Sequence, residues 1–298
     1  MTRSETLLDR LRAGQVLLAD GATGTMLQGM GLAPGEAPEA WLLDKPDQIR
    51  ALHRGYVEAG SDLILSCSFG GSRFRLADHG LDDRVAALNR RAAELARQVA
   101  AEAEGRTVFV AGDMGPTGQL LAPLGPLSPE EVQAAYAEQA RGLAEGGADF
   151  FLIETMSDLG EARAAIAGAR QAADLPIFCT FSFDTHGRTM MGIRPAQVAS
   201  EMAPLVAGLG ANCGQDPAEY VEFVAAMRAA APGAILWVKP NAGLPHMVED
   251  EVVYDATPEQ MAGVAVQLRG AGARVIGGCC GTTPGHVAAM AKALRNHV

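Results

Sequence analysis

At 298 residues, 48% of them hydrophobic, the chain is long enough for one large domain or two average ones and can bury a large core. A net charge of −11 argues against nucleic acid or anionic membrane as a partner, and no apolar run approaches the ~20 residues that span a bilayer, so a small molecule is the default substrate. The opening stretch MTRSETLLDRLRAG lacks the apolar segment of a secretion signal, and five irregularly spaced cysteines do not make a disulfide framework, so a reducing, cytoplasmic setting is expected.

Taken in chain order, short apolar runs alternate eight times with longer Ala-rich amphipathic segments. The runs cover 16–20, 63–67, 108–113, 150–154, 177–183, 209–213, 235–240 and 274–278. Between them helices are predicted near 46–60, 82–104, 128–146, 158–173, 195–207, 217–231 and 257–271, with a last one from 284 to about 296. Several begin with proline just inside the start, as in Ser128-Pro129-Glu130-Glu131 and Thr257-Pro258-Glu259-Gln260, which marks a helix N-terminus. Eight such units predict a single (β/α)8 TIM barrel, one domain over 1–298. A doubly wound open sheet is the alternative, but no linker or composition break divides the chain and GxGxxG is missing after the first run.

A TIM barrel does its chemistry at the C-terminal ends of its strands, so the residue closing each run becomes a candidate. Here those residues are Asp20, Cys67 with Ser68, Asp113, Glu154, Ser182 with Asp184, Cys213, Asn241, and Cys279 with Cys280. Water at the strand ends accounts for Asp113, Ser182 and Asp184. It does not account for Cys213, Cys279 and Cys280, three thiols set among glycines at two strand ends. Three thiolates suit a zinc ion with its fourth position open, whereas the competing reading is buried free cysteine. That competing reading is preferred for Cys67 and Cys179, each alone within an apolar run.

A zinc site of this kind would hold an incoming thiol as its thiolate at neutral pH, and the chemistry implied is S-alkylation. Asp20 and Glu154 can together bind an ammonium group, and the Gly21 and Ala22 amides a carboxylate, which describes a thiol-bearing amino acid. A divalent-cation site or ordinary loop capping is the alternative for the acidic pair.

The chain resembles the zinc-dependent homocysteine S-methyltransferases, including the homocysteine-binding module of cobalamin-dependent methionine synthase. The resemblance runs end to end: DGATGT from Asp20, HRGYVEAGSDLILSCSFGGSRFRL from His53, GPTG from Gly115, Glu154-Thr155, GANCG from Gly210, PNAG from Pro240 and GGCCGTTPGH from Gly277. It implies that Cys213, Cys279 and Cys280 are the zinc ligands and also take part in catalysis. Asn241 would offer an amide oxygen to the metal when substrate is absent, or else serve as a turn residue after Pro240. Asp20 and Glu154 would hold the homocysteine amino group. Thr282 and Thr283 would order the turn into the last helix.

Members of that family take the methyl group from methylcobalamin, betaine or S-methylmethionine. A quaternary ammonium calls for an aromatic cage, yet only 5% of the chain is aromatic, and Gly70 and Thr155 stand where animal betaine enzymes carry tyrosines. Those positions weaken an animal-type betaine site and favour a methylcorrinoid, which would arrive on a separate corrinoid protein. The DGATGT and GRTMMG phrasing, by contrast, resembles bacterial relatives labelled as betaine enzymes. Trp41 and Phe69 remain candidates for facing a methylammonium, and the 28–41 loop for a lid over a small onium donor, although a tryptophan so placed is more often a packing residue. Readings from other classes are a TIM-barrel enzyme holding a phosphate-bearing cofactor at the glycines and threonines after the eighth run, and a non-catalytic module that presents homocysteine.

Overall fold

The computed structural model describes residues 2–214, 216–248 and 251–296. Its strands are β1 (Leu17–Leu18), β2 (Leu63–Leu65), β3 (Phe109–Met114), β4 (Phe150–Met156), β5 (Ile177–Phe181), β6 (Gly208–Cys213), β7 (Ile235–Pro240), the hairpin β8 (Pro245–Val248) and β9 (Glu251–Tyr254), and β10 (Val275–Ile276). All except the hairpin join one parallel sheet in the order β1-β10-β7-β6-β5-β4-β3-β2. A parallel bridge between Ala19 and Leu63 brings the first strand to the second and closes the barrel. The predicted (β/α)8 barrel is therefore the fold.

Alternation along the strands divides the core in two. One set of side chains fills the barrel, including Leu17, Leu63, Phe109, Phe150, Phe178, Trp237 and Val275. Within it Phe150, Phe178 and Trp237 pack pairwise in edge-on or tilted contact, with ring centroids 5.3–5.8 Å apart. The other set points outward, against Ala-rich helices whose small side chains let them lie close to the sheet. The proline-led helix starts appear as predicted: Pro129–Glu145 and Pro258–Ala271 each carry a capping box, Ser128 with Glu131 and Thr257 with Gln260.

Several elements were not legible in the periodicity. An N-terminal helix, Arg3–Arg12, inserts Leu7 and Leu11 into the barrel-filling cluster and so plugs the N-terminal end. Two short helices, Gly24–Gly29 and Trp41–Asp44, and a 3-10 turn at Pro38–Ala40 structure the first loop. The β8–β9 hairpin lies between β7 and Pro258–Ala271. Each is too short or too polar to show a helical or alternating stripe. The helix predicted over 195–207 stops at Met202, and that over 82–104 begins as a 3-10 turn before settling into Val85–Ala101.

Candidate metal and substrate site

At the C-terminal ends of the strands a cleft of about 400 Å³ opens, lined among others by Gly21, Glu39, Phe69, Asp113, Glu154, Lys239 and the three cysteines. Two larger hollows, about 1040 and 920 Å³, lie at the opposite end of the barrel among the residues that precede the strands. They contain none of the expected chemistry.

The structure gathers Cys213, at the end of β6, with Cys279 and Cys280, just after β10. The three sulfurs lie within 4.8 Å of one another, and Sγ of Cys213 is 3.0 Å from that of Cys279. Hydrogen bonds from Cys213 and Cys279, with a further one from the Tyr254 hydroxyl, pull Cys280 down to about 3. Cys213 is held well above the usual thiol range, first because it donates to Cys279. Three thiolates at this separation repel one another, so all three shed their protons only with a cation among them. Zinc–sulfur bonds of about 2.3 Å in tetrahedral array place sulfurs about 3.8 Å apart, so the cluster's spacing and donor type fit that ion. Cys67 and Cys179 lie buried apart from the cluster, as expected, with burial pushing both thiols up.

Local backbone geometry serves the cluster. Cys213 and Thr155 both adopt positive φ, 58° and 63°, conformations that cost a non-glycine residue on the order of 1–2 kcal/mol. Buried Asn212 spans them: its Oδ1 accepts from the Thr155 amide at 2.9 Å and the Thr180 hydroxyl at 2.6 Å, and its Nδ2 donates to Thr155 Oγ1 at 2.7 Å. The same Nδ2 lies 3.7 Å from the Cys213 sulfur. Tyr220 donates its hydroxyl to the Cys213 carbonyl. Gly281, at φ 77°, packs under Tyr254, where a Cβ would come within 2.3 Å of the ring.

Asn241 links the two turns that carry the cysteines. Its Oδ1 accepts the Cys280 amide at 3.0 Å and its Nδ2 donates to the Gly214 carbonyl at 2.7 Å. These hydrogen bonds fit the turn role expected as the alternative, and the second lone pair of Oδ1 remains available to a ligand.

The acidic pair also divides. Asp20 is buried behind the cleft surface, its Oδ1 2.7 Å from Lys239 Nζ and its Oδ2 accepting the Leu65 amide at 2.7 Å. Glu154 lines the cleft, and its buried Oε2 has no hydrogen-bond partner. Burial pushes its carboxyl up to about 8, against the pull of Lys239. Of the two, Glu154 is the one whose carboxylate is open to a ligand. Lys239 gave no signal in the sequence because it sits inside the apolar run that forms β7.

Of the two amides expected to meet a carboxylate, that of Ala22 is already bound by Thr282, to the hydroxyl at 3.1 Å and the carbonyl at 3.3 Å. Gly21 remains at the cleft surface, and a side chain there would collide with Tyr56 and Thr282 at 2.7–2.8 Å. Thr282 donates to the Cys279 carbonyl and Thr283 bonds His286 Nδ1, so both order the turn into the helix Pro284–Asn296. Trp41 is fully buried and outside the cleft lining, its indole N–H on Glu36 and Lys45 Nζ 3.8 Å from the ring centroid, which fits its alternative reading as a packing residue. Gly35 to Glu39 of the same loop do line the cleft. Asp113 and Ser182 are also buried rather than turned to water, while Asp184 is exposed.

The family model for homocysteine S-methyltransferase matches residues 17–294. The chain belongs to the homocysteine S-methyltransferase family. It is 34% identical over 307 aligned positions to a methionine synthase of Mycobacterium tuberculosis, covering 97% of this chain and 25% of that protein, and equally identical to one from Mycobacterium leprae. The chain thus spans about a quarter of the length of these curated relatives. Among solved structures it resembles the homocysteine methyltransferase MmuM of Escherichia coli, in an oxidised form at 28% identity and in a metallated form at 27%. Each has a TM-score of 0.76 and covers 96% of this chain, with 97% and 98% of the respective MmuM chains covered. A Methanosarcina mazei methyltransferase, 13% identical with a TM-score of 0.63, shares the fold. Among the described residues no helix is long and apolar enough to cross a membrane.

Proposed function

We propose that the protein methylates the sulfur of homocysteine to give methionine, with zinc held by Cys213, Cys279 and Cys280. The observation that carries this is the convergence, in one cleft, of three sulfurs within 4.8 Å and a buried Glu154 carboxylate oxygen without a partner. The metallated form known for MmuM supports the assignment of a metal to these thiols. When bound, zinc would lower the pKa of the homocysteine thiol and keep its sulfur nucleophilic at neutral pH.

The chain's own residues supply the rest. Glu154 pairs with the substrate ammonium, which restores to its carboxylate the charge partner that burial removes. Asp20 acts at one remove by fixing Lys239, whose ammonium lines the cleft beside Glu154. Gly21 leaves its backbone open to the substrate carboxylate. Asn241 and Asn212 hold the cysteine-bearing turns in place.

The phosphate-cofactor reading loses its cradle, because the amides of Ala22, Cys280, Gly281 and Thr283 already bind Thr282, Asn241, Thr25 and His286. For the donor, a methylcorrinoid on a separate protein draws support from one observation. Among the described residues, the exposed apolar residues Leu120, Leu124, Met190, Met191 and Leu244 lie in loops that follow strands, and Met247 and Val252 lie in the β8–β9 hairpin that follows β7, all on the segments that leave the C-terminal ends of the strands.

The deciding experiment is a screen of zinc-loaded protein with homocysteine against methylcobalamin, betaine, dimethylsulfoniopropionate and S-methylmethionine. Methionine should form with at least one. Homocysteine binding without turnover on any donor would instead mark a presenting module.

A further inference from the structure

The two hollows at the N-terminal end of the barrel differ in charge. The one of about 1040 Å³ is lined by four arginines and four acidic residues, and its Arg54 is paired with Glu102 at 2.9 Å. The one of about 920 Å³ is lined by Arg12, Arg228 and Arg274 and by no acidic residue, in a chain whose net charge is −11. Arg228 and Arg274 are half-buried and Arg12 is exposed, and among the described residues none of the three forms an ion pair.

Backbone carbonyls fix two of these side chains at one turn. Arg228 donates through Nη1 to the carbonyls of Pro232 and Ala234, at 2.6 and 2.8 Å, and through Nη2 to that of Gly272 at 2.8 Å. Arg274 donates through Nη1 to the neighbouring Ala273 carbonyl at 3.1 Å. A guanidinium carries five N–H donors, so Arg228 keeps its Nε–H and one Nη2 hydrogen, and Arg274 all but one of its donors, without partners among the described residues. Burial, and then the nearby charge of Arg274, lower the Arg228 pKa, the mark of like charges held together. Three helices, Arg3–Arg12, Pro195–Met202 and Glu219–Ala230, end on this hollow, where Arg12, Ala203 and Ala231 line it. Their carbonyl ends supply about half a negative charge each, which offsets part of the three guanidinium charges and leaves the hollow positive.

We propose that this hollow is a binding site for a small molecule bearing a phosphate group. Guanidiniums match phosphate oxygens two at a time, and a phosphomonoester carries about −1.5 to −2 at neutral pH, comparable to the positive charge left over. The volume falls within the range of small-ligand sites, roughly 300–1,000 Å³, and exceeds that of the thiol-bearing cleft. Pro204, Val206 and Pro232 line the same hollow, none of them buried, and offer an apolar wall to the organic part of such a molecule. The site is separate from the cleft: Gly208, the first residue of β6, lines the hollow, and Cys213 ends the same strand. It does not depend on the homocysteine reading.

Calorimetric titration of the zinc-loaded full chain tests this, with orthophosphate, pyrophosphate, adenosine 5′-monophosphate, adenosine and a hexaglutamate peptide as probes. At least one phosphate compound should bind with a Kd below about 1 mM, and adenosine at least tenfold more weakly than the tightest of them. Tightest binding by adenosine 5′-monophosphate identifies an organic phosphate as the ligand class, and by orthophosphate or pyrophosphate an inorganic one. Arg274→Gln should weaken that binding tenfold or more and Arg12→Gln threefold or more, whereas Arg269→Gln, in the other hollow, should leave it within twofold. Arg12 is exposed and makes no ion pair, so its variant keeps the test open if Arg274→Gln fails to fold. The proposal is overturned if no phosphate compound binds below that limit, if adenosine binds as tightly as the phosphates, or if hexaglutamate binds more tightly than all of them. Unchanged phosphate affinity in the folded Arg274→Gln and Arg12→Gln proteins overturns it equally.

Discussion

Lys239 Nζ lies 2.7 Å from Asp20 Oδ1 at a depth where the two side chains are 3% and 2% exposed. A pair so placed is weak evidence of net stabilisation, but removing one member strands the other without solvent. Lys239→Met should therefore cost about 3–5 kcal/mol of folding stability, the range for breaking a buried pair, as read by denaturant unfolding. Asp20→Asn should act the same way and lower stability more than it lowers homocysteine affinity. A loss confined to binding would show that Asp20 touches the substrate directly.

Glu154→Gln separates charge from shape. Homocysteine should bind more weakly by about 1.5–3 kcal/mol, the scale of a hydrogen bond to a charged group, with zinc content unchanged. Calorimetric titration checks the first and plasma mass spectrometry the second.

The same substitution has a pH signature in protein freed of metal and substrate. Burial raises the Glu154 carboxyl from 4.5 to about 8, so between these values the folded state binds more protons than the unfolded state. Its contribution is complete below 4.5 and is lost as the pH rises through about 8. Glu154→Gln should accordingly gain Tm over wild type as the pH is raised from 5 to 8. A constant difference across that window would place the titration elsewhere.

Purified protein should hold about one zinc per chain. Cys213→Ser, Cys279→Ser and Cys280→Ser should each lose most of it, because two thiolates are too few, while Cys67→Ser and Cys179→Ser keep it. Full retention in any of the first three would remove that residue from the metal shell.

Trp41→Ala should lower stability by about 3–5 kcal/mol, as large-to-small changes in a packed interior do, and leave the relative rates of different donors unchanged. A selective loss with onium donors would return Trp41 to the cleft.

The eight-fold alternation was legible because each buried strand is a compact apolar run and each helix keeps one Ala-rich face. The cysteines were legible because thiols beside glycines at strand ends have few structural uses. What stayed hidden has physical reasons. Lys239 and Asn212 lie within strands, where a polar residue reads as an interruption until its partner across the barrel is known. Asp113 read as a solvated strand end because burial by tertiary packing leaves no local trace. Asp20 and Asn241 were placed at the right end of the barrel, but their hydrogen-bond partners, Lys239, Leu65, Cys280 and Gly214, were not legible.

The thiol cluster also has a place in time. Cys213 ends β6 and Cys279 follows β10, with β7 paired between those two strands. The sulfurs can meet only after these three successive barrel strands, each pair separated by a helix, have found their register, and such non-local pairings slow folding. Cobalt offered to the refolding chain would acquire its thiolate absorption only as this side of the barrel assembles, so the chromophore would serve as a stopwatch on that step.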